Sequence, residues 1–141
     1  MAVKEAIAEW KGTGRAFDVT VPSGATLRLD SEGVNFRPLE TVMVALAGCT
    51  GMDVIDILRK KRQTVTDFEV QARGETADKP PKKYTRIQIK YIVTGHHLDP
   101  EAVRRAIELS ETKYCGVAAT LQAAAPITTS FEIREAEPVT T

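Results

Sequence analysis

The feature that most constrains this chain is a long, mostly apolar stretch from Leu39 to Leu58, opened by Pro38 and closed by Arg59-Lys60-Lys61-Arg62. Proline suits the first position of a helix, where its missing N–H costs nothing. Cations suit the negative end. The spacing therefore predicts one helix from Pro38 to about Lys61. Its first five turns are apolar nearly all round, from Leu39 and Val42 through Leu46 and Met52 to Ile57 and Leu58. A helix apolar on every side is expected to be buried on every side. Asp53 and Asp56 interrupt the stretch, which argues against a membrane span. One sheet from a chain this size covers only one side of such a helix. A second subunit is expected to cover the rest, giving an intimate homodimer.

Strand patterns surround the helix. Val3 to Trp10 alternates until the breaker Lys11-Gly12-Thr13-Gly14; Phe17, Val19 and Val21 share a face; Leu27 and Leu29 follow the turn Pro22-Ser23-Gly24. This reads as an antiparallel meander. After the helix, Phe68, Val70 and Ala72 alternate with charge, as do Ile87, Ile89, Tyr91 and Val93. Asp99 is a good N-cap with Pro100 at the first helical position. The second helix puts Val103, Ala106, Ile107 and Ser110 on one face, with Arg104, Arg105, Glu108 and Glu111 outward. It ends or jogs near Tyr114-Cys115-Gly116, a short third helix spans Val117 to Ala125, and Ile127 to Ile133 makes a last strand. The order is βββ-α-ββ-αα-β. That is an α+β fold with an antiparallel sheet or sheets packed on the long helix, in a single domain over residues 1–141.

Nineteen basic residues balance nineteen acidic ones, so no net positive field is available for nucleic acid. The start, Met1-Ala2-Val3-Lys4-Glu5, lacks the apolar core of a signal peptide, and a cytoplasmic location is expected. There, cysteines are more often reduced thiols or redox groups than structural staples. Cys49 and Cys115 stand 66 positions apart, in neither CxxC nor metal-cluster spacing. On the residues alone, two inert cysteines packed as small hydrophobes remain open. His96 and His97, adjacent on a strand, are expected on opposite faces, and no metal site is expected.

Two segments carry a resemblance. Arg37-Pro38-Leu39-Glu40 through Ala47-Gly48-Cys49-Thr50-Gly51-Met52-Asp53-Val54 is similar to the Pro-led central helix of the OsmC/Ohr family, and Lys113-Tyr114-Cys115-Gly116-Val117 is similar to its second-cysteine motif. The element order extends the resemblance over nearly the whole chain, closest to the small stand-alone OsmC-like subgroup. It implies a thiol-dependent reduction of hydroperoxides, with organic ones favoured by apolar walls. Cys49 would be oxidised to a sulfenic acid, Cys115 would condense with it to a disulfide, and an external dithiol of lipoyl type would reset the pair. No cofactor is implied.

A thiol in apolar surroundings is held neutral, so this chemistry needs a cation nearby. The family resemblance points to an arginine of the N-terminal region, here Arg15, with Arg37 and Arg86 as alternatives. The family's glutamate follows the helix-opening proline directly. Leu39 occupies that place and Glu40 comes next, nine positions from Cys49 and about 180° around the helix at about 100° per residue. Glu40 is thus both a catalytic candidate and an ordinary first-turn acid. Gly116 replaces the family's proline after the second cysteine. Two alternatives stay open: a non-catalytic dimer of the same fold binding an apolar small molecule, and a stress-associated structural dimer with inert cysteines.

Overall fold

The structure, a computed structural model, describes residues 1–138. It divides into two compact units, Met1–Val42 and Met43–Thr141. In the first, β1 (Ile7–Trp10), β2 (Phe17–Thr20) and β3 (Thr26–Leu29) form an antiparallel meander in the order β1-β2-β3. Trp10 stands opposite Phe17, and Phe17 opposite Leu29. The turns need left-handed backbone at Gly14 (φ 52) and Gly24 (φ 95), conformations that glycine adopts without a Cβ penalty. Ala16 is the one buried residue of this unit among the described residues.

The long helix α1 runs from Pro38 to Lys60, as its punctuation predicts. Its start is capped from within: Glu40 Oε1 accepts the backbone N–H of Arg37 at 3.0 Å, half of a capping box. At its end Arg62 turns left-handed (φ 59). The N–H of Gln63 then returns to the Leu58 carbonyl and that of Arg62 to Arg59, both at 2.9 Å, the paired bonds of a Schellman cap. One face of α1 is core. Leu46, Thr50, Val54 and Leu58, one turn apart in succession, are fully buried. The opposite face is not buried within the chain: Val44 is 53% and Met52 73% exposed, with Gly48 exposed between them. Burial on every side is therefore not reached by one chain.

The second unit holds β4 (Thr64–Thr76), β5 (Tyr84–His96), α2 (Pro100–Leu109), α3 (Gly116–Gln122) and β6 (Ile127–Glu135). β5 is central, and Ile87, Ile89, Tyr91 and Val93 alternate into the core against Leu46, Val54 and Leu58 of α1 and Val103, Ala106 and Ile107 of α2. The antiparallel expectation holds for β4 and β5 and fails for β5 and β6, which pair in parallel from Ile87 opposite Ile127 to Gly95 opposite Glu135. The reason is the crossover: α2 and α3 carry the chain back so that β6 starts at the end where β5 started, as parallel neighbours require.

Asp99 caps α2 as expected, its Oδ1 accepting the Glu101 N–H at 3.0 Å. Between α2 and α3 the chain widens into a π-turn, Ser110–Tyr114, closed by the Cys115 N–H to the Ser110 carbonyl at 2.7 Å. This turn corrects one reading. Glu111, placed outward by a 3.6-residue period, instead turns inward. Its carboxylate accepts the Tyr91 and Thr129 hydroxyls, both at 2.6 Å. A π-turn adds a residue to the period, so the outward face ends at Glu108. The histidines correct another: His97 is left-handed (φ 51), and both imidazoles reach within 3.9 Å of the Glu135 carboxylate.

Candidate active site

α1 and the start of α3 bring the two cysteines together. Cys49 lies on α1, half-buried, on the turn next to the core stripe. Cys115 is 3% exposed and stands at the N-cap of α3 in extended conformation (φ −78, ψ 104). Their sulfurs and a carboxylate oxygen of Asp53 all lie within 4.8 Å of one another. A disulfide needs the sulfurs about 2 Å apart, so the two thiols are close neighbours that must still approach for one to form. Sequence spacing offered no hint of this contact. The resemblance did.

Asp53 follows Cys49 by one helical turn, and its Oδ2 accepts the hydroxyl of the fully buried Ser110 at 3.0 Å. Burial pushes the Cys115 thiol up to about 11, and the adjoining Cys49 thiol adds to the rise. The N–H groups of Ala118 and Val117 pull the other way; that of Ala118 donates to Cys115 Sγ at 3.3 Å. Held at rest as a neutral thiol, Cys115 suits a group that acts second. Nearby, Tyr91 is fully buried and its phenol is raised far above its ordinary range, first by burial and then by the hydrogen bond to Glu111. The Thr50 hydroxyl opposes that rise and the Cys115 side chain adds to it. Tyr91, Glu111 and Ser110 were not singled out as site residues from the sequence. Ser110 lies on the inward face that periodicity predicts, whereas only the π-turn places Glu111, and hydrophobic periodicity carries no signal for that turn.

Arg15 and Glu40 belong to the N-terminal unit. Arg15 forms no ion pair among the described residues and lines a cavity of about 800 Å³ with Trp10, Phe17, Val19, Leu29 and Arg37. Arg37 donates to the carbonyls of Gly33 and Asn35, both at 3.0 Å, stitching its own loop. Glu40 Oε1 is committed to Arg37, by the backbone N–H and at 3.8 Å from Nε. Arg86, on β5, is paired to Glu75 at 2.8 Å.

Comparison with known proteins gives the family and the fold. Protein YhfA of Escherichia coli K12 is 45% identical over 96 residues, which cover 68% of this chain and 72% of YhfA. A hypothetical protein from Aquifex aeolicus VF5 superposes with a TM-score of 0.87 at 33% identity, over 97% of this chain and 100% of that one. The organic hydroperoxide resistance protein OhrB of Bacillus subtilis shares the fold at 13% identity, with a TM-score of 0.62 over 93% and 98% of the two chains. The family model described as OsmC-like protein matches residues 30–130, a span that includes α1, both cysteines, Asp53 and Ser110, and the chain belongs to that family.

Proposed function

We propose that this chain reduces hydroperoxides, organic ones in preference, through its two thiols. The observation that carries the proposal is the approach of Cys49 and Cys115 from two different helices to within 4.8 Å, in a fold shared with organic hydroperoxide resistance proteins. The Cys49 thiolate attacks one peroxide oxygen, the O–O bond breaks, and the alkoxide leaves as alcohol with a proton. This makes a sulfenic acid at Cys49. Cys115 then attacks that sulfur as thiolate; the S–S bond forms and water departs. A dithiol of lipoyl type reduces the disulfide and is itself oxidised. Exposure supports the order: the half-buried sulfur meets peroxide and the buried one follows.

The activating cation is assigned to Arg15 by the family resemblance, and Glu40, bound to Arg37, holds the opening of α1. The exposed stripe Val44, Gly48 and Met52 supports a homodimer in which a second copy covers it. Peroxide consumption with dihydrolipoamide tests the reading. Cys49→Ser is expected to abolish turnover and Arg15→Ala to lower it about 100-fold, the lower end of the range for loss of an electrostatic group. Turnover that survives Cys49→Ser overturns the mechanism. The cavity beside Trp10 favours one second reading, a module that binds an apolar small molecule. An alkyl ligand bound by a protein that consumes no peroxide would establish it.

A further inference from the structure

Besides its two thiols, the same corner of the protein holds a carboxylate. Cys49, Asp53 and Cys115 converge within 4.8 Å, and no Lys or Arg pairs with Asp53 among the described residues. Two thiols and a carboxylate at one point are a donor set of a kind that metal ions take.

We propose that reduced Cys49, Asp53 and Cys115 form a binding site for a zinc-type divalent cation. Two sulfurs and one oxygen are a donor set that zinc takes, with Zn–S near about 2.3 Å and Zn–O near about 2.0 Å. A tetrahedron of those bond lengths needs ligand atoms about 3.5–3.8 Å apart, and the observed spread of up to 4.8 Å is within about 1 Å of that. The scaffold is rigid where it matters. Cys49 and Asp53 are one turn apart on α1, and Cys115 is pinned at the α3 N-cap by its own N–H to Ser110 and by Ala118. Ser110 supplies the outer contact that orients a ligating carboxylate. Three protein ligands leave a fourth position for water or an external thiolate.

Binding is balanced as a proton exchange: the ion displaces the two thiol protons, forms two metal–sulfur bonds and one metal–oxygen bond, and changes no oxidation state. The ion and the Cys49–Cys115 disulfide therefore compete for the same two sulfurs. Peroxide ejects the ion by oxidation, and the ion shields the thiols until then. The site rests on the proximity of the three groups and is independent of peroxide turnover.

The test is titration of the reduced protein with Co2+ and then Zn2+, without peroxide or added thiol. A thiolate-to-cobalt charge-transfer band with tetrahedral visible bands is expected, displaced by Zn2+ with release of about two protons per ion. Asp53→Asn is expected to weaken Zn2+ binding at least tenfold, and Ser110→Ala about tenfold, the lower end for an outer-shell partner. X-ray absorption of the zinc-loaded wild type reads the ligands without any variant. Two sulfurs near about 2.3 Å with oxygen near about 2.0 Å support the site, and fewer than two sulfurs overturn it. An absent cobalt band, or an unchanged affinity in folded Asp53→Asn, also overturns it. Peroxide consumption measured separately shows which of the two proposals fails.

Discussion

The two units of this chain are built from similar strand patterns and end in opposite conditions. In the N-terminal unit each strand has four residues, about 13 Å at about 3.3 Å per residue, and only Ala16 is buried among the described residues. In the C-terminal unit β4 and β5 run 13 residues each, and β5 is walled by helices on its inner face. A unit of some forty residues buries too little surface to hold itself together. The two cysteines sit in the unit whose packing fixes them, and the apolar cavity in the unit whose residues stay exposed.

The C-terminal unit is most easily broken at Gly95. A Cβ there would meet the backbone carbonyl oxygen of Thr64, an atom of the paired strand that has no rotamer to retreat to. Gly95→Ala is expected to cost about 3 kcal/mol or more, at or above the top of the usual range for overpacking because the obstructing atom is backbone, read as a lowered denaturant midpoint. Gly48, by contrast, faces open space: a methyl group added there would meet nothing within 4 Å.

Next comes a matched pair of truncations. Leu46→Ala removes a fully buried side chain from α1 and is expected to cost about 2–5 kcal/mol. Trp10→Ala removes a larger side chain that is 60% exposed, and within one chain its cost is expected below about 1 kcal/mol. A second copy covering the N-terminal unit changes the second number and makes it fall with dilution. Melts at two protein concentrations read the difference.

A further effect is on pH. In the fold the Cys115 thiol rises from an ordinary 9.0 to about 11. Between those values the unfolded chain has lost this proton while the native state keeps it. Stability is thus fully present below pH 9 and falls as pH climbs to about 11. Cys115→Ala is expected to flatten that slope over the same window.

What the sequence makes legible follows where a signal is local. Pro38 and the cations after Leu58 mark α1 nearly to the residue, and Asp99-Pro100 marks α2. The parallel pairing of β6 is not legible, because alternation records which face a residue takes and not the strand's direction. Glu111 is misread for a related reason: one π-turn resets the helical phase. The exposed half of α1 is a matter of how many chains are counted. For the site, the one-turn spacing of Cys49 and Asp53 can be read directly, whereas Cys115 joins them through tertiary packing that only the family resemblance anticipates. Ser110 lies on the expected inward face of α2, yet its bond to Asp53 has no sequence signature.

If two sulfurs distant in sequence work as one centre, oxidation must join them. The most direct measurement gives fully reduced protein about one equivalent of an organic hydroperoxide, blocks free thiols, and maps the peptides by mass spectrometry. An intramolecular disulfide joining the Cys49 and Cys115 peptides, with both free thiols lost together, is the predicted result. Cys49 carried to sulfinic acid while Cys115 remains alkylatable, or both thiols left intact, would contradict it.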